Sequence, residues 1–578
     1  MFGGGEAVPE IIDLDVLVVG GGGAALRAAI EAHAAGARTG VAVKGQFGVI
    51  GLRGGGATGS GTAADQRGYW PVTADGCVLE SAFDDIVQLG LGMADPNLVR
   101  IVCEEAPATM RNLMNLGVQM DSRRLHNGSG TLRPGRTARA IVPTLSSALR
   151  RAGCALFEQT MITSLLKIEN ACVGAVGIRE DTSEVIVFRA GAVVLGTGGA
   201  AQMFKHNVHP SCITGDGYAL AFRVGAELLN LEFMQTFLGT VFPTINNISN
   251  WLWAEDIRVY NAKGEEFLAN YLPAGATLGE ARAQAVQHNP FSTRDSLSRY
   301  LAVAMMKEVM AGRGTEREGI YFDLTSPNVR VPRERSSWLT YRGIDWTCEP
   351  FEATVYAMCS HGGMRIDGHA QTTVAGLYAV GECSAACYGA DRHAGHMMAA
   401  SQVFGARAGR QAAGRTIGLR RVPLPREALA AEEARIASLA KAKGSRRPKQ
   451  ILTELKQSAW NNLLAVRHAA GIRSFLSTVE ELRKTDLPEV KVEHPDELVE
   501  VLELENMLLF GQMQGASALM RSESRGGHYR EDFPDQDDAN WLKCIRVRQV
   551  DGEPVHDTLA LHPAWKSRPG DMFDDQWG

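Results

Sequence analysis

The 578-residue sequence predicts an α/β fold followed by a helical region, and three observations carry that expectation. The segment Asp15 to Ala29, DVLVVGGGGAALRAA, runs apolar β-formers into a glycine cluster and then into an alanine-rich helix. Through the first half of the chain, short apolar strands alternate with helical segments, the pattern of a parallel sheet covered by helices. After Gly409 the composition shifts to Ala, Glu, Leu and Arg at helical spacing.

The first element reads as a dinucleotide-binding βα turn. Gly20 permits the tight exit from the strand, Gly22 lets the backbone approach a pyrophosphate, and Ala25 is small enough for helix and strand to pack closely. The pyrophosphate would rest on the helix N-terminus. A second strand, Thr39 to Val43, ends at Lys44, where such folds usually place an acid on the ribose. A lysine also suits a 2'-phosphate, so the turn alone leaves the dinucleotide open. The next stretch, GQFGVIGLRGGGATGSGTAA, is too long for a simple turn, and around Gly54, Gly55 and Gly56 its backbone amides could line a phosphate or a flavin ring.

From about Phe233 to Asp345 the pattern turns irregular and richer in aromatics, Pro and Asn, and sheet-like runs resume at Gly376. KAKGSRRPK (Lys441 to Lys449) reads as a basic, Pro-containing linker; no aromatic interrupts it for base stacking, which argues against nucleic acid. Leu498, Leu502, Leu509, Met513, Ala516 and Met520 fall on one helical face and read as core packing. With 59 basic against 65 acidic residues and a net charge of -6, no global drive toward nucleic acid or a membrane exists. MFGGGEAVPEI lacks a leader pattern and no segment approaches membrane-spanning length, so a cytoplasmic protein is expected. The ten cysteines include no CxxC pair; Cys359, Cys383 and Cys387 read as reduced and structural.

The order of DVLVVGGGGAALRAA, the second glycine-rich loop, AVVLGTGGA (Ala192 to Ala200), TGDGYALAFRVGAEL (Thr214 to Leu228), TRDSLSR (Thr293 to Arg299), GLYAVGE (Gly376 to Glu382) and ESRGGHYREDFPDQDDANW (Glu523 to Trp541) resembles the succinate dehydrogenase/fumarate reductase flavoprotein family, to which aspartate oxidases also belong. The resemblance covers nearly the whole chain. It implies a Rossmann-like FAD-binding domain in two parts, residues 1–232 and 351–415, with an inserted α+β cap domain at 233–350, a helical domain at 416–525 and a C-terminal tail at 526–578. It implies FAD held at Gly20, Gly22 and Ala25. Lys44 matches a lysine common in the dehydrogenases, which disfavours NADP. Asp216 matches the residue near the ribityl chain, and Glu382 the acid on a ribose hydroxyl. Met397 and Met398 replace a family Ser-Leu pair beside the flavin ring. VIGLRGGGA lacks the histidine that links covalently to flavin in many relatives, so noncovalent FAD is expected.

For the chemistry, the resemblance places Arg294, of TRD, as the residue moving a proton while a hydride is exchanged with flavin, with Glu255 as the relay carboxylate. An arginine has a solution pKa above about 12, so it must act through a relay or a perturbed site. Arg392, in GADRHAG, matches the arginine that clamps a substrate carboxylate, for which its planar fork is suited. The family's EFVQFHPT becomes EFMQTFLGT, putting Phe237 at a histidine position, and HYTMGG becomes MCSHGG, putting Met358 at the other. His361, His393 and His396 appear nearby, and no metal site is expected among them. Losing two imidazole donors would leave one end of a fumarate or succinate dianion unsatisfied. The expected function is therefore an FAD-dependent oxidoreductase interconverting CH-CH and C=C bonds beside a carboxylate or carbonyl. Its substrate would be a bulkier acid or enone held by Arg392 with His361, with His393, Phe237 and Met358 as further substrate-binding positions. The alternatives are an aspartate-oxidase-like oxidase and a noncatalytic electron-transfer flavoprotein. Any iron-sulfur centre would belong to a partner protein.

Overall fold

The computed structural model describes residues 9–47, 70–72, 77–118, 120–124, 130–134, 141–207, 209–248, 250–254, 256–287, 297–326, 329, 345–346, 348–385, 387–392, 396–419 and 423–561. Gly54, Gly55, Gly56, Glu255, Arg294 and His393 lie outside the described residues.

The first strand, Glu10–Val19, runs parallel to Thr39–Ala42 on one side and to Val185–Leu195 on the other. Ala155–Phe157 extends the sheet beyond Thr39–Ala42, and Leu377–Ala379 pairs in parallel with Val185–Leu195. Val16, Leu17 and Val18 are fully buried. Both faces of this strand are covered, which is why its sequence is a continuous apolar run instead of an alternation.

The parallel reading does not hold for the whole sheet. Thr160–Ile168, Ala171–Arg179 and Val185–Leu195 form an antiparallel meander. Only Glu169 and Asn170 separate the first two of these strands, far too few for the crossover that parallel pairing requires. The sheet is mixed, and the α/β class stands.

The first helix, Gly23–Ala34, lies against a much later one, His396–Thr416. A Cβ on Gly405 would come within 2.7 Å of the Ala24 carbonyl oxygen, and one on Gly409 within 2.2 Å of that of Ala28. Glycine at both positions lets the two backbones touch.

A second, antiparallel sheet joins Met234–Phe242 to Phe351–Ser360, then Ile320–Asp323 and Arg258–Tyr260. This sheet extends past residue 350. Its central ladder carries an irregularity: Gln235 pairs with Cys359 and Thr236 with Ala357, so Met358 is an extra, bulged residue.

Pro448–Leu463, Ala469–Glu481 and Pro495–Met520 form the helical region. Pro495–Met520 is buried on more than the one expected face, because Val499, Val501, Leu504, Leu508 and Phe510 are enclosed as well. The stretch Lys441 to Lys449 is no free linker. Arg446 bonds Glu454 at 2.6 Å, Arg447 bonds Glu493 and Glu497, and the backbone bridges to Val490 and Lys491. After Met520 the chain ends in no simple tail: Lys543–Val550 pairs with Glu553–Ala560 and with Leu228–Leu229. Among the described residues no helix is long and apolar enough to cross a membrane.

Candidate active site

Four loops leave the carboxyl ends of parallel strands on one edge of the first sheet: Gly20–Gly22, Val43–Lys44, Gly196–Gly199 and Val380–Glu382. In open α/β sheets that edge is where ligands bind. Gly20 has φ +116°, and a Cβ there would lie 2.3 Å from the Gly196 carbonyl oxygen. Gly22 caps the first helix with no side-chain bond, and nothing stands within 4 Å of where its Cβ would be. An open, glycine-lined helix N-terminus is what a pyrophosphate needs. Ala25 packs against Gly196, closing helix onto strand. The residues present therefore fit a dinucleotide.

Glu382 places its carboxylate against Gly199, where an added Cβ would meet Oε1 at 2.2 Å, and accepts from the Ser360 amide at 3.1 Å. Loss of water around that carboxyl pushes its pKa up to about 7. Met398 lies near Gly23, and Gln402 Nε2 donates to the Gly23 carbonyl at 2.8 Å. Met397 and Met398 are both buried at the N-terminal end of His396–Thr416.

Lys44 and Asp216 are brought together. Lys44 Nζ lies 2.7 Å from Asp216 Oδ2, 2.7 Å from Glu503 Oε1 and 2.8 Å from Thr214 Oγ1. Burial opposes the ammonium, but the two carboxylates outweigh it and hold its pKa above the ordinary lysine value. Asp216 opens the helix Asp216–Arg223, favourably placed for its dipole, and also accepts from Asn506 Nδ2 at 2.9 Å.

A second cluster forms where the two sheets meet. Buried Arg392 donates from Nη2 to Cys359 Sγ at 3.0 Å. The Cys359 thiol donates to Gln235 Oε1 at 3.3 Å, and Gln235 Nε2 donates to Asp391 Oδ1 at 3.0 Å. Burial pushes the Cys359 thiol up to about 11 despite the neighbouring guanidinium. His361 is buried beside Arg392; burial and then the arginine's charge push its pKa down to about 3, leaving it neutral. His209 donates from Nε2 to the Met358 carbonyl, and burial, with Arg392 contributing, lowers its pKa to about 4. Phe237 packs edge-on against Tyr356, ring centroids 5.5 Å apart, with Val241 and Met358 completing a small apolar cluster. His396 contacts Cys387 Sγ at 3.4 Å. Among the described residues no group of three or more His, Cys, Asp or Glu could hold a metal ion.

Sequence reasoning missed His209, Gln235 and Glu503. Gln235 stands inside EFMQTFLGT, two places before Phe237, and an amide there carries no motif of its own. His209, three residues after His206 in KHNVHP, matches none of the motifs singled out in the sequence, and Glu503 sits in a helix that reads only as core. The ESRGGHYR loop supports the cluster from behind. Gly527 donates to the Ala390 carbonyl at 3.0 Å, while Arg521 ties Glu232 at 2.7 Å to Glu523 at 2.8 Å, all three buried.

The dinucleotide cradle and the Arg392 cluster are joined through Glu382, which accepts from the Ser360 amide next to Cys359, and comparison with known proteins identifies the class. The FAD binding domain family matches residues 15–397, and the family described as fumarate reductase flavoprotein C-term matches residues 452–567. One chain of the fumarate reductase (CoM/CoB) of Methanothermobacter marburgensis is 32% identical over 93% of this chain and 98% of its own length. L-aspartate oxidase of Streptomyces coelicolor is 28% identical over 95% of this chain and 93% of its own. Among solved structures, Mycobacterium smegmatis Sdh1 in complex with UQ1 superposes with a TM-score of 0.80 at 27% identity, covering 95% of this chain and 94% of that one. The protein is an FAD-dependent oxidoreductase. It belongs to the fumarate reductase/succinate dehydrogenase flavoprotein family.

Proposed function

We propose that this protein interconverts CH-CH and C=C bonds next to a carboxylate or carbonyl, on a substrate bulkier and less charged than fumarate or succinate. The observation that carries the reading is that the two strands whose Cys359 bonds buried Arg392 also carry the apolar cluster of Phe237, Tyr356 and Met358. Arg392 supplies a bidentate clamp for one acidic or carbonyl group, and His361, neutral beside it, adds a hydrogen bond without adding charge. Phe237 and Met358 exclude water from the remainder of the substrate, where the family pattern would put imidazole donors.

Gly20, Gly22, Ala25, Lys44, Asp216 and Glu382 would hold FAD noncovalently, with Gly54, Gly55, Gly56, Met397 and Met398 lining it. When bound, the flavin accepts or donates the hydride. Arg294 delivers or takes the proton on the neighbouring carbon, and Glu255 restores its protonation state. The Methanothermobacter marburgensis relative is named as one chain of a larger reductase, and by that analogy electrons are exchanged with an iron-sulfur partner in the cytoplasm.

The test is anaerobic photoreduction of the purified protein followed by a panel of unsaturated acids and enones, reading flavin reoxidation. Reoxidation by a bulky acid or enone in preference to fumarate supports the reading. Reoxidation by none of them favours the noncatalytic alternative. Prompt reoxidation by air alone favours an oxidase, the activity named for the Streptomyces coelicolor relative.

A further inference from the structure

The helix Pro495–Met520 belongs by sequence to the helical region, yet its N-terminal half reaches the carboxyl end of the second parallel strand. Glu503 Oε1 approaches Lys44 Nζ at 2.7 Å across 459 residues of chain. One turn on, Asn506 Nδ2 donates to Asp216 Oδ1 at 2.9 Å, and Asn506 Oδ1 accepts from Arg223 Nη1 at 2.7 Å. A further turn on, Phe510 packs on Tyr218 with ring centroids 4.7 Å apart, and the Tyr218 hydroxyl donates to the Glu382 carbonyl at 3.0 Å. Three successive turns of one helix thus hold Lys44, at the end of the second parallel strand, and the helix Asp216–Arg223, which in turn bonds the Glu382 loop through Tyr218.

We propose that Glu503 is a positioning residue of the FAD site, so that docking of Pro495–Met520 onto Lys44 and Asp216 and binding of the cofactor form one coupled equilibrium. This rests on the placement of FAD along the carboxyl ends of the parallel strands. The physical reason is the sharing of one ammonium between two carboxylates in an enclosed place. With Glu503 ionised, Lys44 is held midway and cannot collapse onto Asp216 alone. Without that charge Lys44 re-aims, Asp216 follows, and the turn Gly215–Asp216 loses its fixed orientation. Thr214, also bonded to Lys44, moves with it. Coupling of this kind is reciprocal: whatever docks the helix tightens the cofactor, and the cofactor tightens the helix.

The experiment follows release of FAD from diluted holoenzyme by the rise in flavin fluorescence. Glu503→Gln keeps the shape and removes the charge; Glu480→Gln breaks an exposed pair with Lys484 in the same region and serves as control. Release about 10-fold faster in E503Q, with E480Q like the parent, is the expected result. Equal release from parent and folded E503Q overturns the proposal. Should E503Q fail to fold, hydrogen exchange on the parent decides. Amides of residues 499–510 must exchange more slowly in holoenzyme than in FAD-stripped protein, and equal exchange there overturns the coupling. The same data report on residues 20–26: protection there without protection at 499–510 sinks the coupling alone, whereas no protection at 20–26 sinks the placement of FAD itself.

Discussion

The carbonyl of Met358, turned out of the ladder by the bulge between Phe351–Ser360 and Met234–Phe242, is taken by the Nε2 proton of His209. A bulge leaves a backbone group without its cross-strand partner, and a buried carbonyl left so is costly. His209 therefore fixes the orientation of Met358, a residue of the proposed substrate pocket, from outside both strands.

Replacing His209 by Leu stays close to its volume and removes the donor. The expected cost is about 1–3 kcal/mol, the penalty for an unsatisfied buried acceptor, seen as a lower Tm. Substrate affinity should fall with it while FAD content stays full. An unchanged Tm would show that the carbonyl finds another partner.

Arg294→Gln should retain FAD and lose turnover, because a proton donor acts in the transition state alone; the loss should reach about 10²–10⁴-fold in kcat. Arg392→Gln should chiefly raise KM, since a carboxylate clamp acts on bound substrate as well. Steady-state kinetics with flavin content checked by absorbance separates the two. Near-normal kcat in Arg294→Gln would remove that residue from the mechanism.

Fumarate and succinate should be poor substrates beside a bulkier acid or enone, and Phe237→His should narrow the gap by restoring a donor. The ring of Phe237 is held by Tyr356 alone among aromatic neighbours within the described residues, so an imidazole can occupy the same volume. Relative kcat/KM on the two substrate classes is the measurement. Parent enzyme that turns over fumarate as well as any larger candidate contradicts the pocket reading.

The protein should purify yellow and release its flavin on acid precipitation, since the glycine-rich segment Val49 to Ala57 offers no histidine for a covalent link. Flavin fluorescence that migrates with the denatured chain on a gel would contradict this.

Acid should destabilise the protein through its neutral imidazoles. His209 and His361 fall from 6.5 to about 4 and about 3 on folding, through burial above all. Below 6.5 the unfolded chain takes up protons that the folded one refuses, so this share of stability is complete above that pH and is lost progressively down to about 4 for His209 and about 3 for His361. Glu382 works in the opposite sense: its folded value near 7 lies above the unfolded 4.5, so acidification through that window favours the fold. Comparing Tm at about pH 7.5 and 5.5 in parent and His361→Asn isolates the imidazole, and the variant should show the smaller acid-induced fall. An equal fall in both would assign acid lability elsewhere.

The α/β class and the location of the glycine turn were legible because steric rules act over a few residues: Gly20 and Ala25 answer to contacts with Gly196 that any tight βα turn imposes. The mixed sheet was less visible, since apolar strands look alike whichever way their neighbours run, and only the two-residue turn at Glu169 and Asn170 separates the possibilities. Arg446 and Arg447 read as a free basic run because their carboxylates lie up to 50 residues downstream. The same holds for Lys44, whose place after the second strand is plain in sequence but whose partners are set by tertiary packing.

Because Leu377–Ala379 completes the first sheet and Gly405 and Gly409 seat against its first helix, the ligand-binding edge does not exist until more than two-thirds of the chain is available. During synthesis the early strands must wait with an unpaired edge while the inserted segment emerges and folds. Contacts of such long separation form slowly and leave apolar surface open to association. Flavin incorporation is therefore expected only after His396–Thr416 has been made, and products truncated before that helix should carry the glycine turn without retaining a cofactor.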